Sequence, residues 1–219
     1  EKRRDQIALV RDWWETTKHL SRAEAALWWI NRVERGEQLE MIDALILTGD
    51  ADAAVEYLRT KYRQENDIDV DFAERMLMAG SREPLEYLRQ AVRNDRPIER
   101  DFVKLVAHYG NIDDFKLLRS EIMRPCHDGY PVDRGMVVNE LQQSNDPLTI
   151  PIFVSLLETK EEAAECNPHL NPENERVIGY LLRSAERIER LSGKDFGFTH
   201  LASNYAAQRG FEDILNWWK

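Results

Sequence analysis

Apolar residues recur at intervals of 3 and 4 along most of this chain, with polar and charged residues between them. That spacing lays one apolar stripe along a helix. In "MIDALILTGDADAAVEYLRTKY" (41–62) an apolar segment is broken at Gly49-Asp50 and a second one follows. The plan returns in "DFAERMLMAGSREPLEYLRQAV" (71–92), broken at Gly80-Ser81, and in "DFVKLVAHYGNIDDFKLLRSEI" (101–122), broken at Gly110-Asn111. The wording also returns: Glu56-Tyr57-Leu58-Arg59 reappears as Glu86-Tyr87-Leu88-Arg89 and, loosened, as Lys116-Leu117-Leu118-Arg119, a period of 30. Each copy reads as a helical hairpin, because Gly accepts the left-handed backbone that ends one helix while Asp, Ser or Asn caps the next. Val55 and Leu58, Leu85 and Leu88, and Phe115 and Leu118 mark the buried stripe of the second helices. Strands are disfavoured, since the spacing is not 2 and the segments are rich in Ala, Leu, Glu and Arg.

The clearest copies cover 41–122, and weaker ones occupy 1–40 and 135–219. "SRAEAALWWINRVERGE" (21–37) opens on a capping box, Ser21 to Glu24. "GMVVNELQQSNDPLTIPIFVSLLE" (135–158) breaks at Ser144-Asn145-Asp146, with Pro147 suited to a first helical turn. "RVIGYLLRSAERIERLSG" (176–193) is one longer helix, and "FTHLASNYAAQRGFEDILNWWK" (198–219) a last hairpin broken at Gly210. Two inserts, 121–135 and 158–175, have the Pro, Gly, Asn and Asp content of loops. The expected fold is all-α: a single α-solenoid domain over 1–219, an α-α superhelix of five to six stacked hairpins, each burying against its neighbours what it could not bury alone.

The hairpins with a Gly-Asp, Gly-Asn or Gly-Ser break resemble the short bacterial HEAT-like repeats. "IERLSGKDFGF", ending at Phe198, is similar to the segment that closes such arrays, where a paired Trp commonly follows, as Trp217-Trp218 do here after a further hairpin. "RDWWETT" (11–17) is similar to the same closing element of an earlier array. The last segment, "ASNYAAQRGFEDILNWWK", also carries ankyrin-like wording, without the Thr-Pro-Leu-His turn that ankyrin repeats use. The HEAT-like resemblance implies a superhelix that presents a surface to a partner, and it brings no catalytic residue and no cofactor.

Charge narrows the partner. With 30 basic against 40 acidic residues and a net charge of -10, the chain is a poor ligand for polyanions, so nucleic acid is not the expected partner. No apolar run approaches the roughly 20 residues that span a bilayer. The chain starts at Glu1 rather than Met and is expected to be part of a larger protein, with the cytoplasm slightly favoured over export.

The sharpest chemical candidate is Cys126 and His127 in "RPCHDG" with Cys166 and His169 in "ECNPH", a thiolate and imidazole set of the kind zinc prefers. Adjacent Cys126 and His127 side chains diverge, and the generic zinc spacings are absent, so no metal is expected. A Cys126–Cys166 disulfide is the alternative in an exported protein. A Cys-His nucleophile is disfavoured by the acidic "EEAAEC", which raises a thiol pKa. Paired carboxylates, such as Glu186 near Arg190, read as solvated faces with i,i+4 partners. No phosphate loop, HExxH or GxSxG pattern is present.

The six Trp residues come in adjacent pairs, which point about 100° apart on a helix, so one of each can pack inside while the other reaches the surface. Trp13 and Trp28, with Tyr57, Arg59, Tyr87, Arg89 and Arg119 on the repeated second helices, are therefore the candidate partner-binding residues. The leading expectation is a non-enzymatic scaffold for an unidentified protein or peptide. The alternatives are a DNA glycosylase of HEAT-like type, for which Trp13, Trp28 and Asp195 would matter, and a structural spacer.

Overall fold

A computed structural model describes residues 2–62, 68–94, 96–124, 132–159, 175–198 and 204–219. Among the described residues every regular element is helical: α1 Lys2–Thr17, α2 Arg22–Ile30, α3 Arg35–Leu47, α4 Ala51–Arg59, α5 Val70–Met78, α6 Glu83–Arg93, α7 Arg100–Tyr109, α8 Ile112–Ile122, α9 Arg134–Leu141, a 3-10 turn Pro147–Thr149, α10 Ile150–Glu158, α11 Glu175–Ser192 and α12 Asn204–Trp218. No helix among the described residues is long and apolar enough to cross a membrane.

The chain forms two compact units, Glu1–Glu86 and Tyr87–Lys219. In the first, α1 packs on α2, α2 on α3 and α4, and α3 on α4 and α5. In the second, α7 packs on α8 and α9, α8 on α10, α9 on α11, and α10 on both α11 and α12. Within each unit several helices, α2, α3 and α10 among them, meet both a sequence neighbour and the next but one. The repeated stripe supplies the contact: Leu58, Leu85, Leu88, Phe115 and Leu118 are all buried, as are Phe72, Met76, Phe102 and Val106 on the first helices of their pairs. Helix α10 departs from a one-sided stripe and buries Ile150 and every residue from Ile152 to Leu157. It does so because α8, α11 and α12 pack on it from different sides, and a helix enclosed all round must be apolar all round.

The connections follow local chemistry. The Ser21–Glu24 capping box is formed, with the Ser21 amide donating to Glu24 Oε2 at 2.8 Å, and those Ser21 contacts hold the Glu24 carboxyl below its ordinary range. Asn111 and Asp114 build a second capping box at α8. Asp50 precedes α4 without capping it, because its carboxylate is taken by Arg22 of α2, at 2.6 Å. Gly49 and Gly80 adopt φ of 91° and 90°, the left-handed conformation the breaks call for. Gly110 differs: its backbone is extended (φ -64°), and a Cβ there would stand 2.4 Å from the Val106 carbonyl oxygen. A close approach, not handedness, requires glycine at that break.

Gly210 corrects the sequence reading more sharply. It interrupts no helix; α12 runs through it from Asn204 to Trp218. Its missing side chain makes room for the Phe198 ring, which would lie 2.5 Å from an added Cβ and which stacks on Phe211 with centroids 5.3 Å apart. The turn carrying Phe198 is itself anchored to α11, since buried Glu189 accepts through Oε1 from the amides of Phe196 and Phe198. Gly210→Ala is therefore expected to cost about 1–3 kcal/mol, by forcing a fixed ring out of place. Thermal unfolding checks this, and an unchanged midpoint would show that the Phe198 contact is slack.

Candidate partner-binding surface

A concavity lies in the first unit, at the meeting of α1, α2 and α3. It encloses about 520 Å³ and is lined by Val10, Trp13, Arg22, Ala25, Ala26, Trp29 and Met41. Helical geometry assembles it: Arg22, Ala25, Ala26 and Trp29 follow one another at i, i+3, i+4 and i+7 on α2, and Val10 and Trp13 stand three apart on α1. Ala25 and Ala26 contribute small side chains to the lining beside those of Trp13 and Trp29. Arg22 is the one charged lining residue, and its guanidinium is fixed to Asp50 Oδ2 and to the Thr48 carbonyl. The remaining lining is apolar, and Val10 within it is 56% exposed. A volume of this size is typical of sites that receive a small molecule or an anchoring side chain.

Of the aromatic candidates read from the sequence, Trp13 lines this concavity and Trp28 does not. The Trp pair on α2 splits by its rotation about the helix: Trp29 faces the concavity, while Trp28 lies under Arg32, whose Cζ is 3.6 Å from the ring centroid. The signal for Trp29 lies in the i, i+3, i+4, i+7 run from Arg22, which sets it on the same face of α2 as Ala25 and Ala26.

No protein-family model, curated protein or solved structure is significantly similar to the chain.

The arginine candidates occupy a different arrangement. Arg59 of α4 grips Glu83 at the start of α6, with Nη2 to Oε1 at 2.6 Å, and also pairs with Glu56. Arg89 of α6 grips Asp114 at the start of α8, with Nη2 to Oδ2 at 2.8 Å. Arg119 of α8 reaches α10, donating Nε to Ser155 Oγ at 3.3 Å and lying 3.6 Å from Glu158. Residues 30 apart thus do one job, tying each second helix to the next second helix. Burial changes along this series, since the Asp114 side chain is fully enclosed whereas Arg59 and Glu83 are exposed. Glu83 holds the Arg59 guanidinium above its ordinary pKa. The first helices use similar ties: Arg35 binds Asp69 and Asp71, and Arg75 binds Asp43. Tyr57 and Tyr87 are half-buried, and burial raises the Tyr57 pKa.

Cys126, His127, Cys166 and His169 lie outside the described residues. Among the described residues no group of three or more His, Cys, Asp or Glu side chains could hold a metal ion. Asp195 accepts from the Gly197 amide at 2.8 Å and so closes its own turn. Glu186 and Arg190 form no ion pair, although their spacing allows one.

Proposed function

We infer that the chain is a non-enzymatic protein-protein interaction scaffold, with its helical hairpins stacked as a HEAT-like α-solenoid. The apolar concavity between α1, α2 and α3 carries the functional reading. It combines two tryptophans with small residues, the composition of an anchoring pocket at a protein interface, and the one charge in its lining is already neutralised. The packing of helices on the next but one, and the tie from Arg59, Arg89 and Arg119 to the following second helix, support the solenoid part. The partner segment this concavity suits is apolar, presenting aliphatic or aromatic anchors to Trp13 and Trp29. The glycosylase alternative gains nothing from Asp195, which is engaged in a turn, or from Trp28, which Arg32 covers.

Selection from a random-peptide display library against the folded protein should enrich segments with large apolar anchors. Ala26→Glu, which places a charge in the lining, should remove their binding with helicity unchanged. Peptides that bind the parent and Ala26→Glu equally would take the concavity out of the reading.

A further inference from the structure

We propose that the edge formed by α9 and α11 in the second unit docks an acidic peptide segment, read by the exposed Arg183 and Arg190, with the buried Arg187 adding its charge. The proposal rests on the protein-binding reading above but on other residues, in the other unit. As a rule the helix-bridging arginines reach a carboxylate, as Arg22, Arg35, Arg59, Arg75, Arg89 and Arg119 do. The α11 arginines break that rule. Arg183 donates Nη1 to Asn139 Oδ1 at 2.8 Å and Nε to the Gly179 carbonyl. Arg187 donates to the Ser144 carbonyl, and its buried Nε has no acceptor among the described residues. Arg190 is exposed and forms no ion pair among the described residues. Arg134 of α9 likewise ends on a carbonyl, that of Thr159, at 2.7 Å. Neutral acceptors satisfy N–H groups but leave the positive charge uncompensated, in a chain whose net charge is -10.

Helix geometry gathers this charge. At about 100° per residue, Arg183, Arg187 and Arg190 fall within an arc of roughly 60° and span about 10 Å along α11. The contacts to Asn139 and Ser144 place that arc against α9 and the turn after it. The nearby acids do not cancel it: Glu140 is bound by Arg100, and exposed Glu186 pairs with neither Arg183 nor Arg190. Burial and the Arg190 charge both push the Arg187 pKa down, a repulsion that a bound anion relieves. Guanidinium forks match carboxylates two-pronged, and the short arc suits two or three carboxylates on a peptide. A nucleic acid would bring many more charges toward an acidic chain, which opposes its approach.

The test is fluorescence anisotropy of a fluorescein-labelled glutamate oligopeptide with the full chain at low ionic strength. The parent should bind, and Arg183→Ala with Arg190→Ala should weaken binding by about tenfold or more. Arg190→Glu alone should weaken it as well, while Arg93→Ala with Arg209→Ala, a control that removes equal charge from exposed arginines elsewhere, should not. No binding by the parent, or equal loss in the control, overturns the proposal. Tighter binding of an oligothymidylate, lost with the same α11 substitutions, also overturns it and gives the edge to nucleic acid. The glutamate probe has no apolar anchor, so failure here and failure at the α1–α3 concavity are read separately.

Discussion

Arg89→Met is expected to destabilise the second unit by about 3–5 kcal/mol, because it strands a charge that has no access to water. The Asp114 side chain is fully buried, and both of its oxygens accept from the Arg89 fork, while Oδ2 also accepts the Asn111 amide at 2.8 Å. Removing the guanidinium leaves the carboxylate only that capping contact. The double variant Arg89→Met, Asp114→Asn should recover much of the loss, since an amide oxygen can still cap α8 and no charge is left enclosed. Arg59→Met supplies the comparison. Arg59 holds the same place in the 30-residue period, but its ion pair with Glu83 is exposed and screened, so this change should move the unfolding midpoint far less. Urea titrations of the four proteins decide the matter, and an Arg89→Met loss no larger than that of Arg59→Met would show that burial of the Asp114 pair is not what matters.

Leu58→Ala and Leu118→Ala should each cost about 2–5 kcal/mol, for both side chains are completely buried in their units. Leu88, between them in the period and 9% exposed, should fall at the low end of the same range. Truncation removes apolar area from the core and leaves a space that rigid helix neighbours on both sides cannot close. The control is Leu47→Ala, at a leucine 83% exposed, where the change should stay within about 0.5 kcal/mol. Denaturant midpoints that fail to separate these three leucines from Leu47 would mean that the repeated stripe does not form the core contact.

The link between burial and period explains how much was legible in advance. Helices, most breaks and the stripe residues are local matters: spacing of apolar residues, capping side chains and left-handed glycines act within a few residues of one another. The Ser21 capping box, Pro147 in a first turn and the long α11 all follow from such signals. Gly210 misled for the same reason. A glycine near the middle of an apolar pattern reads as a break when the only information is its own sequence, and nothing local announces that Phe198 needs the space.

The arginines mark the same boundary. Arg59, Arg89 and Arg119 stood out through their repetition, and the repetition proved to be that of a tie between helices; partners 24 and 25 residues away, Glu83 and Asp114, become neighbours only when hairpins stack. Trp13, a candidate by residue type, lines the concavity, while rotation about α2 turns Trp29 into the lining and puts Trp28 under Arg32. The uncompensated charge of Arg183, Arg187 and Arg190 was hidden, since their spacing beside Glu186 promises ion pairs that do not form.

The sequence by itself determined that this protein is built of helices, where most of them begin and end, and which side of each is apolar, because those properties depend on forces acting over one or two turns. The tertiary structure alone decided which arginines are neutralised, which tryptophan faces the concavity and which glycine admits a ring. Those outcomes depend on side chains from separate helices meeting at a few ångströms, where burial sets the cost of an unpaired charge and the space left for an aromatic ring.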